Sequence, residues 1–100
     1  MTDQSLADEL AARVLGWRAA PDRYIRSGRS WIPRWRFRPC QDIKDAFTLL
    51  ERAADSFSLK GDSKIFTAEV CVRGRLGKAT GEPRARTITT AIARALGLEV

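Results

Sequence analysis

The stretch KIFTAEVCVR, Lys64 to Arg73, decides the fold. Taken every second residue, it gives one wholly apolar face of Phe66, Ala68, Val70 and Val72, and one mixed face of Ile65, Thr67, Glu69, Cys71 and Arg73. Side chains along a strand point alternately to opposite faces, so the segment reads as the central strand of a small sheet with one face on a core. Two weaker strands flank it. Phe57 to Lys60 precedes it across a turn at Gly61 to Ser63, and Arg75 to Glu82 follows it across a turn at Gly74. Gly77 and Gly81 weaken the last of these, which suits a twisted edge.

Three segments with helical periodicity supply a cover for the apolar face. The first carries Leu6, Ala7, Leu10, Ala11, Val14 and Leu15 on one stripe, with Ser5 placed as its N-cap and Gly16 as its stop. Asp8 and Glu9 point about 100° apart on a helix, so they read as complements of its dipole rather than as an acid/base couple. The second has Ile43, Ala46, Phe47, Leu50, Ala53 and Ala54 in register, Leu49 beside the stripe, and Cys40 or Gln41 in the cap region. The third follows Pro83, buries Ile88, Ala91, Ile92, Ala95 and Leu96, and ends at Gly97. Its Thr87, Thr89 and Thr90 are poor helix formers, so packing must hold it.

Between the first two helices, residues 17–39 form an insertion of a different character, with every tryptophan, the one tyrosine and three of the four prolines. RYIR and RWRFR alternate like strand segments, and SGRS at Ser27 to Ser30 reads as a turn. An irregular hairpin or a long structured loop both fit. In the second segment Trp35 and Phe37 would face one way and Arg34, Arg36 and Arg38 the other, while Pro33 and Pro39 forbid a central strand. The tryptophans either close the core or stack on a partner.

Length and charge bound the function. One hundred residues make a single domain, 1–100, with one core and no room for a separate catalytic unit. The net charge is +6, and it is concentrated. Seven arginines against Asp22 lie between Trp17 and Arg38, and a second basic group, Arg73, Arg75, Lys78, Arg84 and Arg86, meets only Glu82. Such stripes invite nucleic acid or an acidic protein surface. Arg84 and Arg86 stand at the start of the third helix, where two guanidinium forks and free N–H groups would hold a phosphate or a carboxylate; alternatively they point to solvent or pair with Glu82.

With no histidine and only two cysteines, neither a zinc site nor a disulfide framework is expected, and no cofactor is implied. Cys40, after Arg38 and near a helix N-terminus, is the better candidate for a lowered pKa, and Cys71 the poorer; small structural cysteines are the plainer reading of both. Without histidine or a glycine-rich phosphate loop, no catalytic role can be assigned, so the chain is expected not to be an enzyme. The acidic start MTDQSLADEL is neither a signal nor a transit peptide, and no apolar run reaches membrane-span length. A cytoplasmic protein with no membrane partner is expected.

The order helix, aromatic-rich insertion, helix, three strands, helix, with LAARVLGWR at Leu10 to Arg18, DIKDAFTLLERA at Asp42 to Ala53 and ARTITTAIARALG at Ala85 to Gly97, resembles the phage ABA sandwich domain family. The resemblance implies an α+β fold, an αβα sandwich in which a three-stranded antiparallel sheet is packed by helices, in a phage or prophage protein of a bacterial cell. A tryptophan-rich insertion is part of the likeness; its many arginines and Cys40 at the cap are departures. A weaker topological likeness is to double-stranded-RNA-binding domains, which also place basic residues where Arg84 and Arg86 stand. Here Gly61, Asp62 and Ser63 replace the glycine-proline-histidine loop of that module.

These readings lead to a non-catalytic phage or prophage accessory protein that acts by binding, most concretely an inhibitor of a host defence complex of the anti-CRISPR type. It would dock on an acidic protein surface, or block a nucleic-acid site, through Arg26, Arg29, Arg34, Arg36 and Arg38. The alternative is a nucleic-acid-binding module that uses Arg73, Arg75, Lys78, Arg84 and Arg86 on phosphates. A second copy of the chain on the mixed sheet face is a further kind of partner.

Overall fold

A computed structural model of the chain describes residues 2–62 and 65–100. Helix α1 spans Asp3–Leu10 and continues as a π-helical turn over Ala11–Leu15. Thr2, not Ser5, is its cap: the Thr2 hydroxyl accepts the Ser5 N–H at 3.0 Å, so Ser5 already lies inside the helix. Gly16 ends the π turn at φ +73°, as a glycine stop should.

The insertion is a small antiparallel sheet of its own, β1 (Arg18–Ala19), β2 (Arg23–Ser27) and β3 (Ser30–Pro33), in that spatial order. RYIR is its central strand, and Ser27 pairs with Ser30 across a two-residue turn in which Gly28 has φ +53°. RWRFR is not a strand. Pro33 closes β3, Arg34–Arg36 make a 3-10 turn, and Trp35 and Phe37 part company: Trp35 is 70% exposed, whereas Phe37 is buried.

Helix α2 (Ile43–Ala53) is capped by Asp42, whose carboxylate accepts the Lys44 N–H at 2.9 Å; neither Cys40 nor Gln41 has that role. Ala46, Leu49 and Leu50 are its buried residues, while Ile43, expected inside, is exposed. The main sheet follows, β4 (Ser56–Gly61), β5 (Phe66–Val72) and β6 (Arg75–Thr80), antiparallel with β5 in the middle. Phe66, Ala68, Val70 and Val72 are buried, as the alternation requires. Lys64, expected to start the central strand, and Ser63, expected in the preceding turn, lie outside the described residues. The second turn is Arg73 and Gly74, at φ +51° and +80°, the pair of left-handed conformations that a two-residue hairpin loop demands.

Helix α3 (Arg84–Ala95) is buried nearly all round, through Ala85, Thr87, Ile88, Thr89, Ala91, Ile92, Ala93 and Ala95. After Arg84, only the stripe of Arg86, Thr90 and Arg94 reaches the surface, so the helix must have protein on its other sides. One side lies on β6, where Gly77 admits the backbone of Ala91 and Ala95 into contact. The other meets the segment before α2: the Thr89 hydroxyl donates to the Pro39 carbonyl at 2.8 Å, and Arg86 reaches Asp3 of α1 at 3.3 Å. The buried threonines are therefore satisfied rather than wasted, since the Thr87 hydroxyl likewise donates to Pro83 O at 3.2 Å.

The chain is thus an α+β domain in which helices pack on the apolar face of a three-stranded antiparallel sheet, in the order read from the sequence, with a second three-stranded sheet built by the insertion. The outward face of the main sheet carries Thr67 bonded to Thr80 at 3.1 Å, Glu69 paired with Lys78 at 3.5 Å, and Cys71 opposite Leu76, which is 68% exposed. Among the described residues no helix is long and apolar enough to cross a membrane.

Candidate interaction surfaces

The insertion is anchored to α1 by one carboxylate. Asp8 accepts the Tyr24 hydroxyl at 2.7 Å and is gripped by Arg34, whose Nη2 donates to both carboxylate oxygens. Arg34 Nη1 donates to the Ala20 carbonyl at 2.8 Å, and Gln4 Nε2 donates to Asp8 and to Tyr24 at 3.0 Å each. Burial, and then the Asp8 charge, hold the Tyr24 phenol well above the usual tyrosine range. Asp8 is therefore the hub of a partly buried network and not only a dipole complement. Below it Trp17, Tyr24 and Phe37 meet as an aromatic trio, with centroids 5.1 to 6.0 Å apart.

The tryptophans divide between core and surface. Trp17 belongs to the trio, whereas Trp31 is 48% exposed beneath the Arg23 guanidinium at 4.2 Å and Trp35 stands free. Arg36 lies 5.9 Å from the Trp35 ring centre. Trp35, Arg36 and Arg38 border a shallow depression of about 570 Å³ that runs to Ile43. Arg26 and Arg29 are exposed at the tip of the β2–β3 hairpin, and among the described residues neither makes an ion pair. Of the five arginines assigned to this surface, Arg34 alone is neutralised internally among the described residues; its side chain is 22% exposed and turned inward to Asp8.

The second basic group does not form one track. Arg84 lies over the Phe66 ring at 5.3 Å, at one end of β5, while Arg73 and Arg75 stand at the other end, a strand length of roughly 20 Å away. Lys78 is on the outward face with Glu69, and Arg86 is paired with Asp3. The expected anion cradle at the start of α3 is therefore not assembled: its two guanidiniums diverge, one to an aromatic ring and one to a carboxylate. Neither pairs with Glu82.

Arg73 and Arg75 instead border a cleft of about 520 Å³ together with Arg13, from the π turn, and Arg52, from the last turn of α2. Sequence reading passed over Arg13 and Arg52. Each sits near a helix C-terminus, where a basic residue already has a sufficient explanation in the dipole, and only the fold brings the two ends together.

The cysteines behave oppositely to the order expected. Cys40 is 2% exposed, and burial, reinforced by the Asp3 charge, pushes its thiol up to about 11 despite the neighbouring helix N-terminus. Cys71 is partly exposed on the outward sheet face. At pH 8 a water-soluble disulfide reagent should therefore label one thiol per folded chain quickly, at Cys71, and the second only on unfolding. Two fast thiols would contradict the burial of Cys40. The sign of the linkage is fixed as well: an unfolded thiol ionises near 9 and the folded Cys40 only near 11, so this group withdraws stability as pH rises through that window.

No protein-family description matches the sequence, and no curated protein matches it. By structure the chain is similar to a phage protein from Bacillus cereus ATCC 14579, with a TM-score of 0.80 at 17% identity over 100% of this chain and 92% of that one. The likeness is one of fold: an α+β domain of the same build occurs in a phage protein.

Proposed function

We propose that this chain is a non-catalytic phage or prophage accessory protein of the ABA sandwich kind that acts by binding, most concretely as an anti-CRISPR-type inhibitor of a host defence complex. The observation that carries the reading is the exposed Trp35 beside Arg36 and Arg38, with Arg26 and Arg29 exposed at the far end of the same hairpin. Tryptophan and arginine dominate the energetic centres of protein interfaces, and a bare indole beside unpaired guanidiniums fits an acidic protein surface with apolar pockets. Similarity in fold to a phage protein supports the setting. Arg34 leaves the proposed contact set, because Asp8 holds it.

The test is titration of the chain against a host complex captured from cytosol and then purified, with W35A and R36A/R38A as variants. Either variant should weaken binding by more than about tenfold, the loss expected of a hot-spot residue, while leaving the melting temperature unchanged. Unaltered affinity in both would place the contact elsewhere. Titration against duplex RNA and DNA at two salt concentrations covers the alternative: tight binding that falls steeply with salt would make the chain a nucleic-acid module.

A further inference from the structure

We propose that the cleft between the C-terminal ends of α2 and α3 and the β5–β6 turn binds a nucleotide-sized organic phosphate. Its volume, about 520 Å³, lies within the range of small-molecule sites. Four arginines from three separate elements line it: Arg13, Arg52, Arg73 and Arg75. Arg13 is paired with Glu9 at 3.1 Å. The side chains of Arg52, Arg73 and Arg75 have no ion pair or hydrogen bond among the described residues. The one carboxylate in the cleft, Asp55, is occupied with the backbone, accepting the Arg73 N–H at 2.7 Å.

Dipole complementation accounts for Arg13 and Arg52, at the ends of helical segments, and for Arg75, whose guanidinium lies at the end of α3, but not for Arg73, which comes from the β5–β6 turn. Arg73 also holds φ +51°, where glycine, asparagine or aspartate would sit with less strain. Arg75 lies across the end of α3, close enough that a Cβ on Gly97 would come within 3.1 Å of its Nη1, which sets the guanidinium beside a residue next in sequence to Ala95 and Leu96 of the cleft wall.

Several arginines lining one concavity, three of them without an ion pair among the described residues, call for a compact, multiply charged anion. A phosphate offers three peripheral oxygens to bidentate donors, where a carboxylate offers two. Val14, Val72 and Leu96 form an apolar wall beside the arginines, which gives an organic body something to lie on and favours an ester over the inorganic ion. A duplex is a poorer fit, because its phosphates run along an extended convex backbone while these donors are drawn into a hollow.

Calorimetric titration at low salt with ADP, fructose 1,6-bisphosphate, inorganic pyrophosphate and adenosine as separate probes tests this. One of the two organic phosphates should bind, more tightly than pyrophosphate, and adenosine should not; which of the two wins identifies the body. R73A/R75A should weaken that binding more than about tenfold without lowering the melting temperature, since both side chains are exposed, and R52Q should weaken it alone. R36A/R38A, beside the N-terminal end of α2 and therefore the length of that helix away from Arg52, should leave it unchanged, so the outcome is independent of the protein-docking proposal. Absence of binding by both organic phosphates at millimolar concentration would overturn the inference, as would equal losses in R73A/R75A and R36A/R38A.

Discussion

Alanine in place of Gly77 is expected to cost about 3 kcal/mol or more of stability, at the upper end for added bulk in a packed interior. For a chain of this length each kcal/mol is worth roughly 4 to 8 °C, so the melting temperature should fall by more than about 10 °C. Gly77 pairs with Val70 on the core face of the sheet, directly under α3. A Cβ there would overlap the Ala91 carbonyl oxygen and the Ala95 nitrogen and stand 2.9 Å from the Ala95 Cα. All three are main-chain atoms of a helix, so no side chain can swing aside, and α3 must lift from β6 as a body. Lifting it would also loosen Ile88 and Ile92, both fully buried. Gly28 serves as the comparison. It has φ +53° and open space around its Cα, so G28A should cost only about 1 to 2 kcal/mol from backbone strain. Urea and thermal unfolding of the two variants followed by circular dichroism would decide. If G77A were as stable as G28A, α3 could not be seated with Ala91 and Ala95 against β6.

That glycine shows what the sequence can and cannot convey. The alternation in KIFTAEVCVR is a local property of a strand, and the burial of Phe66, Ala68, Val70 and Val72 follows from it directly. The helical stripes of α2 and α3 are local in the same sense. Gly77 read as a weak point in an edge strand, because the atoms that require it belong to residues fourteen and more positions away. In the insertion, RYIR and RWRFR look equally strand-like. Only the second is bounded by Pro33 and starts with an arginine held by Asp8, and that contact, 26 residues apart in the chain, turns it into a 3-10 turn. Cap choice failed for a subtler reason. Thr2 and Ser5 are both hydroxyl residues near acidic side chains, and the choice rests on whether the chain before Ser5 finds anything to pack on; Asp3 does, through Arg86. The surfaces were half legible. Basic residues could be counted, but which of them are spent internally, as Arg34, Arg86 and Lys78 are, is decided by partners the fold supplies.

Arg34→Ala should be the costliest change of a charged residue on the insertion, at about 2 to 3 kcal/mol. Removing one member of a fully buried ion pair typically costs about 3 to 5 kcal/mol; here the side chains of Arg34 and Asp8 are 22% and 29% exposed, so water relieves part of the penalty. The loss would still be large, because Arg34 ties three elements at once: Asp8 on α1, the Ala20 carbonyl after β1, and the 3-10 turn that carries it. Tyr24→Phe removes only the hydroxyl and leaves Asp8 to Arg34 and Gln4, so about 1 kcal/mol is expected. The aromatic trio survives in that variant, since the Tyr24 ring stays fully buried against Phe37 at 5.5 Å. The two changes should not add. With Arg34 gone, the Asp8 carboxylate leans harder on the phenol, and a double-mutant cycle should return a coupling of at least about 0.5 kcal/mol. Alkali acts on the same network with a known sign. The folded phenol is held above its ordinary value near 10, so its contribution is complete below that pH and is withdrawn as pH rises past it. R34A separates structure from recognition as well: a variant that melts at the native temperature yet fails to bind the partner would return Arg34 to the contact surface, whereas an early-melting variant that still binds when cooled would leave it as the bolt between insertion and helix.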